Sequence, residues 1–434
     1  MKIIKTTDAD FDVEFRRVLK RGGALEEEIW RTVEAIVRDV EKRGDEALFH
    51  YTEMFDGQKL TRDTVEVSPE EIKRLISTIP AEDMEMMKLA ASRIERFHRE
   101  QLVGDWTMEE EGIKVGQRIV PLEKVGIYCP GGRAAYPSTV LMTAIPAAVA
   151  GVKEIIMVSP MRAGEINPLV VAAAHLSGVH RVFKVGGAQA IAALAYGTTS
   201  IPAVDKIVGP GNAYVACAKQ CVFGRVAIDM IAGPSEVLIV SDGTVDPSYV
   251  ACDMLAQLEH DEKAAAVLIT PDEDFACTVV EELEKRVRGM ERKSICLKAL
   301  ESYGLCIVTR DTSEAIDLAN LFAPEHLELM TADPESLLPR VKHAGAVFLG
   351  AYTPETLGDY LAGPNHVLPT GGTARFSSAL GVYDFIKRIS VLSFSQEGVE
   401  KLGPAAQRFA VKEGLTAHAK AVEIRLKKEG KEKS

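Results

Sequence analysis

The sequence has no long apolar run and no excess of positive charge. Its nearest approach to a membrane span, STVLMTAIPAAVAGV, contains Pro146 and is shorter than the roughly 20 residues that a transmembrane helix needs. With 51 Lys and Arg against 63 Asp and Glu, the formal net charge is −12. Nucleic acids and anionic membranes favour clustered Lys and Arg, so neither is expected as the main partner.

Paired cysteines and a secretory signal are missing as well. The seven cysteines are an odd number and contain no Cys-x-x-Cys pair. Scattered free thiols are typical of a reducing cytoplasm. The N-terminal MKIIKTTDADFDVEF soon turns acidic, unlike a signal peptide, and the C-terminal RLKKEGKEKS is typical of a solvated chain end. These features predict a cytoplasmic protein.

The length and the rhythm of the chain predict more than one α/β domain. At 434 residues the chain is too long for one ordinary core. Residues 1 to about 120 have the pattern of charged packing helices. From about 120 onward, short apolar strands, Gly/Pro turns and helices alternate, and this alternation recurs from EVLIVSDG onward. Such alternation indicates parallel βαβ units, so we predict two doubly wound domains followed by a mostly helical stretch from about 385.

Three Gly-rich turns, PGGRAAYPS, VGGAQA and VGPGNAYV, follow predicted strands and open predicted helices. Free backbone N–H groups at such turns bind phosphate and other anions. The dinucleotide fingerprint Gly-x-Gly-x-x-Gly, however, occurs nowhere in the chain. Each turn alone is explained as a tight connection between a strand and a helix. Because three such turns occur in one α/β region, the presence of a nucleotide site and its absence are equally open interpretations.

Several polar residues have the chemistry of metal ligands, although no His-Glu-x-x-His or cysteine cluster is present. They are Gln257 and His260 on one helix face, Asp359 and His366 around a Gly/Pro loop, and Glu413 and His418 near Gly414. Histidine and aspartate are ordinary zinc donors, whereas the neutral amide oxygen of Gln257 would be an unusual one. Spacing alone therefore makes a metal site the minority interpretation.

The stretch NLFAPEHLELM places a carboxylate beside an imidazole, because Glu325 precedes His326. Pro324 ends the preceding predicted helix, since the residue before a proline avoids the helical region. The alternation that follows sets Leu327 and Leu329 on one face of a strand and His326 on the other. Glu325 and His326 should therefore make no hydrogen bond to each other. From these residues alone, a solvated start of a strand is favoured over a catalytic pair.

Taken together, these segments resemble the histidinol dehydrogenase family. The resemblance runs from about residue 120 to 420, in the family's order, through VGIYCPGGRAAYPSTVLMTAIPA, VGGAQAIAALAYGT, DKIVGPGNAYVACAK, DMIAGPSEVLIV, LAQLEHD, NLFAPEHLEL, LGDYLAGPNHVLPTGGTARFSS and EGLTAHAKAV. It implies an NAD-dependent, zinc-binding homodimer that completes histidine biosynthesis by oxidising L-histidinol to L-histidinal and then to L-histidine. The family binds NAD without the Gly-x-Gly-x-x-Gly fingerprint, so its absence is no departure.

The resemblance implies a role for each matching residue. The catalytic pair would be Glu325, which activates the water that hydrates the aldehyde, and His326, which accepts the hydroxyl proton. The implied ligands of one zinc ion per subunit are Gln257, His260, Asp359 and His418. The implied NAD contacts are Tyr128, Gln189 and Asn212. The implied substrate contacts are Ser235, His326, His366, Glu413 and the four zinc ligands. Glu413 and His418 would come from the partner chain of an intertwined dimer.

The resemblance also implies the fold class: α/β, with two incomplete Rossmann-like (doubly wound) domains and small helical N- and C-terminal units, similar to aldehyde dehydrogenases. The first α/β domain would be discontinuous and carry the zinc and catalytic residues. The predicted domains are an N-terminal arm (1–25), this first α/β domain (26–125 and 236–380), an NAD-binding domain (126–235), and a C-terminal helical unit that reaches the partner subunit (381–434). No nucleic acid or membrane partner is expected.

Three other functions compete with this interpretation. Cys129, beside a Gly-rich turn, could have a lowered pKa and form a thiohemiacetal with an aldehyde, as in aldehyde dehydrogenases. The same metal donors could instead activate water in a zinc hydrolase. A nucleotide-binding or structural α/β protein without catalytic activity is the third.

Overall fold

The computed structural model describes residues 1–21, 27–131, 136–161, 164–231 and 233–426. Its strands are β1 (Lys2–Lys5), β2 (Trp106–Glu110), β3 (Ile113–Pro121), β4 (Lys124–Tyr128), β5 (Glu154–Val158), β6 (Arg181–Phe183), β7 (Lys206–Val208), β8 (Ala227–Ile228), β9 (Glu236–Ser241), β10 (Ala265–Thr270), β11 (Gly304–Val308), β12 (His326–Met330), β13 (Ala346–Leu349) and β14 (Ile386–Phe394). Its helices are α1 (Phe11–Leu19), α2 (Glu27–Arg43), α3 (Asp45–Asp56), α4 (Pro69–Ile76), α5 (Ala81–Arg99), α6 (Pro137–Ala150), α7 (Pro168–Leu176), α8 (Gly187–Tyr196), α9 (Ala213–Val222), α10 (Pro247–Leu258), α11 (Glu273–Arg286), α12 (Lys293–Tyr303), α13 (Thr312–Phe322), α14 (Pro334–Leu337), α15 (Glu355–Leu357), α16 (Gln396–Lys412) and α17 (Thr416–Leu426). Within these ranges no helix is long and apolar enough to cross a membrane.

The middle of the chain forms a five-stranded parallel sheet in the order β6-β5-β4-β7-β8. Counted along the chain, this order is third, second, first, fourth, fifth, which is a Rossmann fold without its last strand. Helices cover both faces: α6 and α7 pack in one apolar cluster, and α2, α8 and α9 pack in another. The strands read as apolar runs because they are buried on both sides. The prediction of an incomplete Rossmann-like domain is confirmed.

The other α/β sheet has six parallel strands in the order β1-β11-β10-β9-β12-β13. Without the edge strand β1, the order is again third, second, first, fourth, fifth. Both sheets thus have the same strand order, which is the result expected if the two α/β domains arose by duplication. The N-terminal segment, predicted as an arm, supplies β1, which pairs with Leu305–Val308. The predicted domain boundaries stay a prediction.

The chain divides into two compact units, and the smaller comprises Leu102–Pro121 and Ile386–Ser434. In this unit β14, β3 and β2 form an antiparallel sheet, and α16 packs against α17. The sequence analysis did not predict these three strands. Their pairing joins Ile386–Phe394 to Ile113–Pro121, and a strand whose partner is so distant in the chain has a weak local signal.

Candidate active site

Glu325 and His326 lie where β12 begins, in the interior of the six-stranded sheet. β12 lies between β9 and β13, and all five of its residues are buried. The preference for a solvated strand start was therefore wrong, because a central parallel strand is covered on both faces. Ala323, with φ 55°, turns the chain from α13 into this strand. The pair thus stands at the amino edge of the sheet.

The ring of His326 is held with its Nδ1 atom toward oxygen acceptors. Nδ1 is 3.2 Å from the backbone oxygen of Glu236, 3.6 Å from a carboxyl oxygen of Glu355 and 3.8 Å from one of Glu325. These acceptors favour the tautomer that carries its proton on Nδ1. Nε2 then keeps its lone pair, and it has no hydrogen-bond partner among the described residues. Nε2 is therefore the atom that can accept a proton from a substrate.

The protonation state of His326 suits a general base. Burial lowers the pKa of His326 to about 3, so the ring is neutral at physiological pH. The carboxyl groups around the ring raise its proton affinity when they are ionised. The 3.8 Å between Nδ1 and Glu325 is too long for a hydrogen bond, in agreement with the expectation that the two residues are not bonded to each other.

The carboxyl group of Glu325 is buried beside a second carboxyl group, that of Glu236. Its Oε2 accepts a hydrogen bond from the backbone N–H of Glu236 at 3.0 Å, and the side chain of Ser235 also hydrogen-bonds to it. Burial, followed by the charge of Glu236, raises the pKa of Glu325 well above its usual value. A carboxyl group with a raised pKa is a stronger base once it is ionised.

Further acidic side chains crowd the same region. Burial raises the pKa of Asp253 to about 6 and that of Asp359 to about 7. Burial also holds the pKa of Glu328 and of Glu355 well above the usual value. A pocket of carboxyl groups that resist ionisation has the electrostatics of a cation site. The sequence analysis missed Asp253, Glu328 and Glu355, although an acid inside the apolar strand HLELM is an unusual residue.

Part of this group has the arrangement of a metal site. His326, Glu355 and Asp359 each offer one ligand atom, and these atoms lie within 4.8 Å of one another. Gln257, buried on α10, reaches the same group: with its amide nitrogen toward the cluster, it donates to both carboxyl oxygens of Glu355 at 3.1 Å, and the same nitrogen lies 3.3 Å from Nδ1 of His326. With the amide turned round, its oxygen becomes a neutral donor for a cation.

Two more predicted residues, His260 and His366, belong to this region. The Nδ1 atom of His366 is 2.9 Å from the backbone oxygen of Asp359. Burial, with a smaller contribution from the charge of His260, lowers the pKa of His366 to about 4. The charge of His260 also lowers the pKa of His326, so His260 lies within electrostatic reach of both rings. Asp359 itself lies in the π-helical turn Gly358–Ala362, a feature frequent at functional sites.

Glu413 and His418 lie in the smaller compact unit. Glu413 is the C-cap residue that follows α16, His418 lies in α17, and both are exposed. Gly414, with φ 75°, lies between the two helices and separates α16 from α17. The role of both residues in the site stays a prediction.

The predicted cofactor residues surround the carboxyl ends of β4 and β7. These neighbouring strands are the first and fourth of the five-stranded sheet, so the strand order reverses between them. Nucleotides bind at this point in doubly wound sheets. Tyr128 ends β4, and Gly209 follows β7 with φ 113°. A Cβ atom on Gly209 would stand 2.2 Å from the backbone oxygen of Tyr128, so only glycine permits the approach.

Of the three predicted NAD contacts, Gln189 has a buried side-chain oxygen without a hydrogen-bond partner in the described residues. It is buried near the start of α8, and its Oε1 finds no hydrogen-bond partner in the described part of the chain. The hydroxyl of Tyr128 accepts a hydrogen bond from Gly187 N–H at 3.2 Å. The side-chain oxygen of Asn212 caps α9 by accepting two backbone N–H bonds at 3.1 Å. Residues 132–135 of the turn PGGRAAYPS lie outside the described residues.

Cys129, directly after β4, is not an activated nucleophile. It is buried, and burial raises the pKa of its thiol to about 12. Because the thiolate is the reactive form, the thiohemiacetal mechanism loses its chemical basis.

We therefore expect the Cys129→Ala variant to oxidise both an alcohol and its aldehyde with kcat values within about threefold of the unmodified chain. Steady-state assays on the two substrates separately check this. Selective loss of aldehyde oxidation would restore the cysteine mechanism.

Comparison with known proteins gives one consistent result. The sequence model described as histidinol dehydrogenase matches residues 19–426. A histidinol dehydrogenase of Aquifex aeolicus is 54% identical over 422 residues, which cover 97% of this chain and 98% of that protein. One of Syntrophotalea carbinolica is 52% identical over 428 residues, covering 98% and 99%. The crystal structure of histidinol dehydrogenase from Elizabethkingia anophelis has a TM-score of 0.93 at 38% identity and covers 98% of both chains.

Proposed function

The chain belongs to the histidinol dehydrogenase family, whose reaction is the last step of histidine biosynthesis, and we propose that it performs this reaction with NAD and one zinc ion at the site around His326. The proposed reaction oxidises L-histidinol to L-histidinal and L-histidinal to L-histidine. The observation that carries the proposal is the buried Nε2 of His326, which lies within a cluster of acidic side chains and has no hydrogen-bond partner among the described residues.

The residues of the cluster fit a zinc ion. Gln257, His260 and Asp359 would hold it, together with the partner subunit's His418, and the neighbouring Glu355 would compensate its charge. Carboxyl groups with raised pKa values, such as those of Glu355 and Asp359, are what a chain presents where a cation is expected. When bound, zinc supplies orientation of the substrate's imidazole and amine.

The five-stranded sheet fits NAD. Tyr128, Gln189 and Asn212 surround the point where its strand order reverses, and the Oε1 atom of Gln189 has no partner in the described ranges. The carboxyl end of a parallel sheet and the amino ends of its helices favour a phosphate group. Bound there, NAD supplies the hydride acceptor.

In the first oxidation His326 acts as the base. The alcohol must lose its hydroxyl proton while the carbon loses hydride, and Nε2 of His326 accepts that proton. The backbone oxygen of Glu236 holds Nδ1 at 3.2 Å and keeps Nε2 in the unprotonated tautomer. Burial excludes water that would otherwise compete for this nitrogen.

In the second oxidation Glu325 acts as the base. The aldehyde must first add water, because an aldehyde carbon has no hydroxyl group from which a proton can leave. Ionised Glu325 takes a proton from that water while protonated His326 returns its proton to the carbonyl oxygen, which gives the hydrate. His326, neutral again, then accepts the hydroxyl proton of the hydrate as the carbon loses its second hydride. Ser235 and the backbone N–H of Glu236 hold the carboxylate of Glu325 for this task.

The proposal is tested by following reduction of NAD⁺ with L-histidinol as the only other substrate. Formation of L-histidine with two equivalents of NADH supports the complete sequence. Hydrolysis without NAD⁺ reduction would favour the zinc hydrolase, and binding of NAD without turnover would favour the non-catalytic protein.

Removing zinc should remove activity. We expect a chelator to lower histidinol oxidation by at least about 10²-fold and added zinc to restore it, because substrate orientation depends on the metal. His260→Asn should lose bound zinc and activity together, whereas His175→Asn, an exposed histidine on α7, should keep both. Metal content by mass spectrometry and the NADH assay check this. Full activity of a zinc-free His260→Asn preparation would contradict the proposed metal role.

We further propose a homodimer in the cytoplasm, with the partner subunit's Glu413 and the partner subunit's His418 at the site. The smaller unit supports a dimer because it exposes large apolar side chains on both its sheet and its helices: Trp106, Met108, Ile389, Leu392, Phe409 and Ile424. Exposed apolar groups of this extent mark protein interfaces.

We expect the chain to sediment at twice its own mass and the variant Leu392→Asp to sediment as a monomer with little activity. Leu392 is 66% exposed in the single chain, so a charge there is compatible with folding of the monomer. Sedimentation velocity with a parallel activity assay checks this. An active monomer would overturn the shared site.

A further inference from the structure

Glu236, the first residue of β9, makes a reciprocal contact with Glu325. Its backbone N–H donates to Oε2 of Glu325 at 3.0 Å, and its own Oε1 accepts a hydrogen bond from the backbone N–H of Glu325 at 3.3 Å. Oε1 also accepts from the backbone N–H of Gly371 at 3.0 Å. Both the main chain and the side chain of Glu325 are therefore tied to one residue.

The same residue contacts the other half of the catalytic pair by its main chain alone. The backbone oxygen of Glu236 lies 3.2 Å from Nδ1 of His326. A change in the side chain of Glu236 thus acts first on Glu325, whereas the contact to His326 does not depend on that side chain.

Arg21, which follows α1, completes this arrangement. Its guanidinium donates to Oε2 of Glu236 and, at 3.0 Å, to the backbone oxygen of Pro234. The side chains of Arg21 and Glu236 are each only 2% exposed. A carboxylate so far from water needs a cation beside it, and a pair that loses one partner leaves a costly buried charge. Arg21 therefore fixes which oxygen of Glu236 faces Glu325.

We propose that Arg21 and Glu236 are positioning residues for the second oxidation, which they control by holding Glu325 in place. The proposal rests on the function proposed above, in which Glu325 serves the aldehyde step and His326 serves both steps. No local pattern marks either residue, because Arg21 and Glu236 are 215 positions apart and meet only in the folded sheet.

The test uses L-histidinal in both directions with the full-length enzyme. Oxidation of histidinal with NAD⁺ requires Glu325, whereas reduction of histidinal to histidinol with NADH reverses the first oxidation and requires His326. We expect Arg21→Met to lower kcat for histidinal oxidation by about 10- to 100-fold, because small displacements of a catalytic group cost rates of this size. Histidinal reduction and the KM for histidinal should change less than about threefold.

Two further variants are assayed alongside Arg21→Met. Arg21→Lys keeps the charge and should recover part of the lost oxidation rate. Arg181, the first residue of β6 in the five-stranded sheet, forms an ion pair with Glu66, and Arg181→Met breaks this pair. The Arg181→Met variant should change neither the rate of histidinal oxidation nor the rate of histidinal reduction. If Arg21→Met does not fold, Glu236→Gln is assayed in the same way with the same expectation, since it weakens the hold on Glu325 from the other side.

Equal losses in both directions, or no loss in either, would overturn the positioning role while leaving the proposed function intact. Failure of the unmodified enzyme to oxidise histidinol would instead count against the proposed function. The ratio of the two rates is decisive because a general loss of stability lowers both rates together.

Discussion

The His326→Asn variant is expected to lose about 10²- to 10⁴-fold in kcat for the oxidation of both histidinol and histidinal, which is the usual contribution of a general base. Asparagine places an amide N–H where Nδ1 of histidine lies, so the contact to the backbone oxygen of Glu236 can survive. It has no counterpart to Nε2, the unpartnered nitrogen that accepts the proton. The change thus removes the nitrogen that acts as the base and keeps the contact to the backbone oxygen of Glu236.

Steady-state NADH formation from each substrate measures this effect. His175→Asn on α7 serves as the matched control, because it makes the same substitution at an exposed histidine outside the site. Bound zinc should be retained, since the proposed zinc ligands are untouched. A loss confined to one of the two oxidations would show that His326 does not serve both.

The Glu325→Gln variant is expected to lose about 10²- to 10⁴-fold in histidinal oxidation while it still converts histidinol to histidinal. Glutamine keeps an oxygen that accepts the backbone N–H of Glu236, so the geometry is preserved. It cannot take a proton from water, and the aldehyde should therefore accumulate. Trapping histidinal with an amine reagent during histidinol oxidation measures that accumulation.

The pH profile gives a second measurement on Glu325. Burial and the charge of Glu236 raise its pKa, so the carboxyl group stays protonated to a higher pH than an exposed glutamate. Only the ionised form takes a proton, so histidinal oxidation should fall as the pH falls through the raised pKa. Histidinal reduction by NADH should lack this dependence. Equal loss of both half-reactions in Glu325→Gln would refute the division of labour between Glu325 and His326.

Local sequence patterns predicted the α/β elements well where a nearby side chain caps a helix or where the spacing of apolar residues shows which side of a strand is buried. Asp311 accepts the N–H of Glu314 at the start of α13, and Ser68 does the same for Glu71 at the start of α4. The alternation in β12 also holds, since Leu327 and Leu329 pack in one apolar cluster and Met330 packs in another. Strand β14 was missed because its partner residues in β3 are 265 to 281 positions away, from Ile386 with Pro121 to Phe394 with Ile113.

Local sequence patterns predicted much less of the candidate site. From the residues alone, NLFAPEHLELM favoured a solvated strand start, and only the family resemblance selected Glu325 and His326. Glu355 has no pattern of its own, and Glu328 is marked only as an acid within an apolar strand. The fold buries Glu355 beside His326 and Gln257 and places Glu328 against Glu355. Spacing cannot reveal such groups, because a parallel sheet brings together residues from distant segments.

The sequence by itself determined the class of protein, the alternation of strands and helices in the two α/β regions, and the residue types available for catalysis. These follow from side-chain periodicity, capping residues and the family's motifs, which are all local properties. Only the tertiary structure decided which strand lies beside which and therefore which residues meet. It placed Glu236 against both Glu325 and His326, gave it Arg21 as a buried partner, and left Nε2 of His326 without one in the described residues. The physical reason is that burial and hydrogen bonding depend on neighbours in space, and the sheet order sets those neighbours.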